Sequence, residues 1–361
     1  MKVKTITCHN VYNTGASLQA YALVTYLRSL GHDVEIIDYV PDYLTHYRLA
    51  GVANPVYDKP IIKELYNLAK LPGRLIARCS KRKTAFDRFT AQYLPLTERH
   101  YGTFEALKSE PPEADIYIAG SDQIWNSFFK NGRDPSFYLQ FAPKGCVRAS
   151  YAASFAIPEI ADEYREQTRK WLMEFDHLSV RENSGLRILE SLGIEGGCTV
   201  ADPVFLLSKE EWETLCPNAV VSDRYVLVYD FDGNPAIRRM AEMLAASRGL
   251  KIFTLQKLGY GDQYIADAGP IEFVQMIKGA SYVLSNSFHA TAFSLIFHRP
   301  FMVFDREEGI NTRMHDLLDM AGVEYERKPE DAICWETVQQ RMNEYITNSR
   351  DYLHNILNRS V

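Results

Sequence analysis

The sequence predicts an α/β protein that contains two doubly wound parallel sheets. Its first forty residues have the pattern strand, helix, strand: residues 2–8 alternate in polarity, residues 17–31 carry apolar side chains at helical spacing, and residues 33–39 form a second apolar run. Such a unit joins two parallel strands through a helix. A second alternating series begins near residue 225, and a chain of 361 residues is long enough for about two domains. We therefore expect two Rossmann-like domains with a cleft between them.

The boundaries of the elements follow from the same patterning. Ser17 is the expected N-cap of the first helix, and Gly31 is expected to end it. A Tyr-rich and basic stretch at about 41–110 is interpreted as a helical insertion in an N-terminal domain of residues 1–205. A C-terminal domain of residues 206–361 is expected to end in an amphipathic helix, from about Trp335 to Leu357, that packs back on the first domain. Further strands are predicted at 114–120, 148–154, 177–182, 198–207, 225–231, 251–256, 281–287 and 300–305, with helices at 235–249, 271–280 and 289–298.

Composition and charge exclude several classes of function. Lys plus Arg total 40 and Asp plus Glu total 46, so the net charge of −6 gives no general attraction for nucleic acid. No run approaches 18 apolar residues, and the N-terminal apolar run is too short for a signal peptide. The six cysteines include no CxxC pair, which argues against zinc clusters and redox pairs. We expect a cytoplasmic protein with no metal and no integral membrane segment; a peripheral position at the inner membrane face is left open.

One basic run, at 78–89, stands out from this acidic background. It is interpreted as the solvated face of a helix rather than as a binding patch, because runs of charge on helices are most often solvated.

Candidate binding residues are those that follow predicted strands, because open α/β sheets bind ligands in the crevice at the carboxyl ends of their strands. The first such cluster is the loop at 10–18, which contains Asn13 and Gly15. The glycine allows close approach of the backbone, and the start of the helix offers free N–H groups to an anionic or hydroxyl-rich ligand. A simple turn with an N-cap is an equally supported alternative.

The second cluster is the segment GSDQIWN, which supplies Ser121, Asp122 and Gln123 at the end of an apolar strand. It has the composition of a polar loop that feeds a site, and Trp125 offers a flat face for a sugar. In the alternative interpretation, Asp122 is only the N-cap of a helix.

The third cluster is SVREN, in which Arg181 closes an apolar strand. An arginine at this position is costly unless it is paired with a carboxylate or a phosphate. It could therefore hold an anionic ligand, or it could form an internal ion pair with Glu or Asp.

The fourth cluster contains Asn286, Ser287 and His289, between a buried strand and an apolar helix. This places His289 in the first turn of that helix, beside unpaired amides that favour an anion. A bound dianion would favour the protonated imidazole and prepare it to donate a proton. The alternative is a histidine with a structural role.

Taken in order, these clusters resemble the polysaccharide pyruvyltransferase family. The resemblance spans about residues 5 to 320 and implies a GT-B-like fold and a transfer of pyruvyl from phosphoenolpyruvate to two hydroxyls of a sugar, which forms a ketal. Ala16 and Ser287 stand where better-studied members tend to carry an acidic residue and an arginine. The segments that carry the resemblance are NVYNTGASLQAYAL, GSDQIWN, SYAASF, SVRE, ADPVF, SNSFHATAFSLIFHRPF and NTRMHDLL.

The resemblance also implies roles for the candidate residues. His289 is expected to protonate the donor, Arg181 to bind its carboxylate or phosphate, and Asp122 to orient or deprotonate an acceptor hydroxyl. Phosphoenolpyruvate is the expected donor, with no cofactor or metal, and the acceptor is expected to be a sugar or a lipid-linked oligosaccharide. The oligomeric state is left open. The remaining expected substrate-binding residues are Asn13, Gly15, Ser121, Gln123, Asn286 and Ser287.

Two other functions fit the same sequence features. One is a GT-B glycosyltransferase that uses a nucleotide sugar, since a fold alone does not fix the donor. The other is a carbohydrate-binding protein without catalytic activity, which Ser287 favours.

Overall fold

A computed structural model describes residues 1–44, 60–217, 223–306 and 311–358. Two five-stranded sheets organise these residues, and within each sheet every paired strand is parallel to its neighbour. Helices connect most of the strands, as parallel pairing requires. The predicted fold class, with two doubly wound Rossmann-like halves, is confirmed.

The first sheet forms from short apolar runs that are buried on both faces. All four residues of its strand at Ile116–Ala119 are buried, which is the burial expected of a central strand in a parallel sheet. Its strands, in spatial order, are β3 (Leu96–Tyr101), β2 (Asp33–Tyr39), β1 (Lys2–Ile6), β4 (Ile116–Ala119) and β5 (Val147–Ser150).

A two-stranded annex extends the first sheet. It consists of β6 (Ser179–Val180) and β7 (Cys198–Thr199), and bridges such as that between Ala149 and His177 link it to the edge strand β5. The strand expected at 198–207 is therefore much shorter than predicted. Its apolar run is interrupted by a 3₁₀ turn that starts at Pro203, because proline has no N–H to donate to a strand ladder.

The second sheet repeats the same arrangement. Its central strand is buried along its whole length. The strands, in spatial order, are β10 (Gln263–Tyr264), β9 (Lys251–Thr254), β8 (Tyr225–Tyr229), β11 (Tyr282–Ser285) and β12 (Phe301–Val303).

The first helix, α1 (Thr14–Ser29), starts three residues before the predicted N-cap. Asn13 caps it, because the Oδ1 atom of Asn13 accepts hydrogen bonds from the backbone N–H groups of Gly15 at 2.9 Å and Ala16 at 3.3 Å. The expectation that Ser17 is the N-cap was wrong, since Ser17 is a buried residue within the helix.

The stretch expected to be a helical insertion contains more than helices. It includes α2 (Pro60–Arg78) and α3 (Lys81–Tyr93), but also the edge strand β3 and α4 (Phe104–Ser109). The strand was missed because three successive residues, 98–100, are exposed and polar, so no alternating pattern marks it. Residues 45–59 of the predicted insertion lie outside the described residues.

The remaining helices cover the sheets and join the two halves. A continuous apolar core crosses from one half to the other: the ring of Trp212 lies 5.7 Å from that of Tyr21 and 4.9 Å from that of Phe293, centre to centre. The remaining helices are α5 (Asp162–Leu172), α6 (Asn183–Ser191), α7 (Lys209–Leu215), α8 (Pro235–Arg248), α9 (Pro270–Gly279), α10 (Phe288–Ile296), α11 (Thr312–Ala321) and α12 (Trp335–Asn358).

The C-terminal helix α12 makes direct contacts with the first half of the chain. The Ser349 hydroxyl accepts a hydrogen bond from the backbone N–H of Ala201 at 2.8 Å, and the Tyr352 hydroxyl donates to the carbonyl of Ser150 at 2.9 Å. In the described part of the chain, no helix is both long enough and apolar enough to span a membrane.

We expect Leu353→Ala, in α12, to lower the free energy of unfolding by about 2–5 kcal/mol, because Leu353 is fully buried and its removal leaves a cavity. The neighbouring exposed residue provides the control, since His354→Ala should change stability by less than about 0.5 kcal/mol. Chemical denaturation of both variants measures the difference. Equal stability of the two would show that α12 is not firmly packed.

Candidate functional site

The site lies where both sheets reverse their strand order. In the first sheet the reversal falls between β1 and β4, and in the second between β8 and β11. Such switch points open a crevice at the carboxyl ends of the strands. The chain segments that follow these four strands include Gly15, Asp122, Asp230 and His289, so the fold directs them towards the cleft between the halves.

A buried carboxylate, Asp202, joins the two halves at this point. Its Oδ2 atom accepts a hydrogen bond from Nη1 of Arg181 at 2.6 Å and lies 3.6 Å from Nε2 of His289. Its Oδ1 atom accepts from the backbone N–H of Val204 and starts the 3₁₀ turn. Burial alone would raise the pKa of Asp202, but its contacts with His289 and Arg181 hold this pKa well below its usual value. The carboxylate is therefore charged at neutral pH.

Arg181 is enclosed by three carboxylates. Besides Asp202, its Nη2 atom lies 3.3 Å from Oδ1 of Asp122, and its Nε atom lies 4.0 Å from Oε2 of Glu182. Burial would lower the pKa of the guanidinium, but the charges of these carboxylates outweigh burial and raise it. The structure thus shows the internal ion pair that was one of the two sequence-based interpretations. A contact of Arg181 with a ligand anion stays a prediction.

Glu182 holds the loop after β5 in place. Its Oε1 atom accepts three hydrogen bonds at 3.0 Å, from the Ser154 hydroxyl and from the backbone N–H groups of Phe155 and Ala156. Its other oxygen has no hydrogen-bond partner among the described residues, and this oxygen is the one that faces Arg181. One carboxyl group therefore fixes a loop and lines the charged cluster at the same time.

His289 lies in the first turn of α10, as predicted; it is the second residue of that helix, and Ser287 is the N-cap. The imidazole packs directly on the first turn of α1: a Cβ atom added to Gly15 would lie 2.0 Å from Nδ1 of His289. Gly15 thus makes room for a side chain from the other half of the protein. Within the described part of the chain, Nε2 of His289 has no hydrogen-bond partner, although it faces Asp202.

Arg313, from α11, brings a second buried guanidinium to the cluster. Its side chain lies close enough to Arg181 for the two charges to interact, and burial together with this repulsion lowers the pKa of Arg313 to about 10. When the amide of Gln123 is oriented with its oxygen towards the guanidinium, that oxygen accepts hydrogen bonds from Nη2 and Nη1 at 2.9 and 3.1 Å. Gln123 therefore contacts a cation of the site.

Two residues of the predicted second cluster have structural roles. Ser121 is buried, its N–H donates to the side chain of Gln19 in α1, and its hydroxyl donates to the carbonyl of Ala152. Trp125 is completely buried, its indole N–H donates to the carbonyl of Phe137, and its ring stacks on Tyr138. The expectation that Trp125 offers a face to a sugar was wrong, because no face of the ring is accessible.

Asn286 organises the switch point of the second sheet. Its side-chain N–H₂ group donates to Asp230 at 3.0 Å and to Asp232 at 2.6 Å, and its backbone carbonyl accepts from Nε of Arg306 at 2.7 Å. Burial, with the neighbouring carboxyl of Asp232, raises the pKa of Asp230. The hydrogen bonds of Asn286 position the loop after β8 beside α10, the helix that carries His289.

Three residues of this cluster were not assigned a role from the sequence: Asp202, Glu182 and Arg313. A signal existed for Glu182, which is the last residue of a predicted strand, and for Asp202, which belongs to the segment ADPVF that carries the family resemblance. Arg313 lies in α11, well beyond the nearest strand, and the packing of α11 against α6, α10 and α12 brings it to the site. Its position depends on tertiary structure, which local pattern does not reveal.

Solved structures with similar folds include members of two groups of sugar-processing enzymes. A protein assigned as UDP-N-acetylglucosamine 2-epimerase from Listeria monocytogenes is 9% identical, with a TM-score of 0.53, and the match covers 98% of this chain and 89% of that one. An E. coli heptosyltransferase is 14% identical, with a TM-score of 0.39, over 84% of this chain and 88% of that one. Among curated proteins, no sequence matches this chain significantly. The fold is GT-B-like.

Within this class of folds, the sequence identifies the family. The family model described as polysaccharide pyruvyl transferase matches residues 13–308, which include Gly15, Asp122, Arg181, Asp202 and His289. The chain belongs to the polysaccharide pyruvyl transferase family, as the sequence motifs indicated.

The contact between Gly15 and His289 predicts a large effect from a single methyl group. We expect Gly15→Ala to lower the free energy of unfolding by about 1–3 kcal/mol, because the new Cβ would overlap the imidazole. Gly73→Ala is the matched control: it also lies within a helix, and among the described residues no heavy atom beyond its chain neighbours and the backbone of its own helix lies within 4 Å of its added Cβ. This control should be neutral or slightly stabilising. Denaturation curves of both variants measure these free energies. An unchanged free energy of unfolding for Gly15→Ala would contradict the packing of His289 on Gly15.

The shared carboxylate predicts a dependence of stability on pH. Because the pKa of Asp202 is lower in the folded than in the unfolded protein, its contribution is complete above about pH 4 and is lost as the pH falls towards the folded pKa. We expect Asp202→Asn to cost about 3–5 kcal/mol at neutral pH, since it leaves a buried guanidinium with one partner fewer. On acidification, the free energy of unfolding of this variant should then fall by less than that of the wild type.

Denaturation from neutral pH down to about pH 3 measures this difference. Asp33→Asn, at an exposed position, is the control and should follow the wild-type curve. An Asp202→Asn variant that is as stable as the wild type at neutral pH would contradict the role assigned to this carboxylate.

Proposed function

We propose that this protein transfers a pyruvyl group from phosphoenolpyruvate to two hydroxyls of one sugar, in a surface polysaccharide or its lipid-linked precursor, and so forms a cyclic ketal. The observation that carries the proposal is the shared oxygen of Asp202, which brings His289 and Arg181 within 3.6 Å of one point. A proton donor and an anion-binding group from opposite halves are thus held together. Membership of the polysaccharide pyruvyl transferase family supports the same reaction.

The donor carries a carboxylate and a phosphate, and the cluster offers groups suited to both. The Nε atoms of Arg181 and Arg313 have no hydrogen-bond partner among the described residues, and Nε2 of His289 has none either. Guanidinium groups bind carboxylates and phosphates in a planar, two-point geometry. Arg313 in addition supplies positive charge to the cluster, in a chain that has Ser287 at the position where the family tends to carry an arginine. We expect the two anionic groups of the donor to bind between these cations and the start of α10.

In the proposed reaction, the methylene carbon of phosphoenolpyruvate takes a proton from His289, and the first sugar hydroxyl adds to the neighbouring carbon as it loses its own proton. Phosphate then leaves with the electron pair of its C–O bond, and the second hydroxyl loses its proton and closes the ketal ring. The two hydroxyl protons balance the one added to carbon and the one that phosphate carries away. Asp202 lies 3.6 Å from Nε2 of His289 and would orient the imidazole towards the bound donor.

Asp122 is suited to accept a proton from an acceptor hydroxyl. Its contact with Arg181, at 3.3 Å, is longer than that of Asp202, and its side chain is 18% exposed, whereas Asp202 is fully buried. An incoming anion that pairs with Arg181 would displace Asp122 more easily than Asp202. The freed carboxylate would then lie beside the donor, on the open side of the cluster.

The test of the proposed chemistry is His289→Gln. Glutamine can form hydrogen bonds but cannot donate a proton at neutral pH, so we expect kcat to fall by about 10²–10⁴ with little change in donor KM. Phosphate release is measured with an acceptor sugar that supports wild-type turnover, and the melting temperature is measured on the same preparation. His354→Gln, at an exposed position, is the control and should retain wild-type activity. A stable His289→Gln variant with near-wild-type phosphate release would remove His289 from the mechanism.

Donor identity is tested separately by thermal shift. Phosphoenolpyruvate should raise the melting temperature, because a ligand that binds only the folded state stabilises it. Stabilisation by a nucleotide sugar instead would favour the glycosyltransferase alternative. Binding of sugars without turnover of either donor would favour a carbohydrate-binding protein.

A further inference from the structure

Helix α2 exposes an apolar face to solvent. Ile61, Leu65 and Leu68 are 76%, 64% and 69% exposed, and Ile62 is 42% exposed. The first three lie at positions i, i+4 and i+7, so they share one side of the helix. Four of the ten strongly exposed large apolar side chains in the described part of the chain therefore fall within eight residues. In a helix of a globular protein this face normally packs on the core.

The chain from α2 into the start of α3 is strongly basic. Residues 60–83 contain seven basic residues and one acidic residue, a net charge of +6, although the whole chain has a net charge of −6. The side chain of Lys81 is 86% exposed, and Lys70 is exposed as well. The basic residues are Lys63, Lys70, Arg74, Arg78, Lys81, Arg82 and Lys83, and the acidic one is Glu64. An exposed apolar face beside many basic residues is complementary to a surface that is both apolar and anionic.

We propose that α2 docks this protein on a bilayer that contains anionic lipids, lying in the plane of the interface. Its 19 residues carry too much charge to span the membrane, but amphipathic helices rich in Lys and Arg bind at the boundary between headgroups and acyl chains. The basic residues attract the anionic headgroups, and the apolar face enters the acyl region. A symmetric pairing of two copies through α2 is disfavoured, because it would bring two segments of charge +6 together.

The helix that follows α2 connects this surface to the site. In α3, Asp87 accepts a hydrogen bond from the Tyr12 hydroxyl at 2.8 Å, and Arg82 donates to the Tyr12 carbonyl at 3.3 Å. Tyr12 belongs to the loop that leads to Gly15. The basic start of α3 is therefore in contact with this loop, so headgroups that bind there would lie beside the entrance to the site. The docking inference does not depend on the proposed reaction, but it would bring the site close to an acceptor held in the membrane.

The experiment is flotation of the full chain with lipid vesicles. We expect binding to vesicles of phosphatidylcholine with about 30% phosphatidylglycerol, weak binding to phosphatidylcholine alone, and release when about 0.5 M salt screens the charges. The double variant Leu65→Gln/Leu68→Gln should reduce binding at least tenfold, since each side chain contributes its own burial. Met243→Gln, in α8, removes a comparably exposed apolar side chain elsewhere and should bind like the wild type.

Three results would overturn the proposal: no binding to anionic vesicles, binding that the double variant retains, or binding that is equal with neutral vesicles. Size-exclusion chromatography without lipid tests whether a second copy of the chain covers this face instead. A wild type that is dimeric and a double variant that is monomeric would show that a second copy covers α2. Both variants alter exposed side chains, so unchanged melting temperatures establish that they are folded.

Discussion

The site depends on one buried charge, the carboxylate of Asp202. Taking a carboxylate and a guanidinium out of water costs several kcal/mol for each ion, and only close pairing offsets this cost. Asp202 accepts from Arg181 on one side and faces His289 on the other, so the contact between the halves includes a charged link as well as an apolar core. Without this carboxylate, Arg181 would lose its shortest ion pair and His289 the acidic group that its Nε2 atom faces. The remaining polar contacts of the site position groups around this link.

The sequence predicted most of the fold because the strands are strongly marked. Runs such as IYIA and YVLVY are apolar throughout and buried throughout, and the helices between them have regular spacing. The edge strand β3 escaped prediction because its central residues are exposed and polar. The end of β7 was misplaced because the apolar run continues past Pro203, which cannot join a strand ladder.

The candidate site was predicted in part. Following strands to their carboxyl ends identified Gly15, Asp122, Arg181 and His289, which the structure brings together because both sheets reverse order at the same cleft. The same rule misjudged Trp125: an aromatic residue after a polar loop has the same local pattern whether its ring faces a ligand or the core. Pairing between distant side chains, such as Arg313 with Gln123, leaves no local pattern and required the folded chain.

The packing of His289 on Gly15 ties together two positions that are 274 residues apart in the chain. A side chain at position 15 is incompatible with an imidazole at position 289, but it would be compatible with a smaller residue there. Substitutions at the two positions should therefore be non-additive, so that a change harmful at position 15 becomes tolerable once position 289 has lost its ring. A relative without the histidine would be free to lose the glycine, whereas one that keeps the ring would need the space beneath it. The pair of residues, rather than either one alone, is the unit that constrains divergence at this cleft.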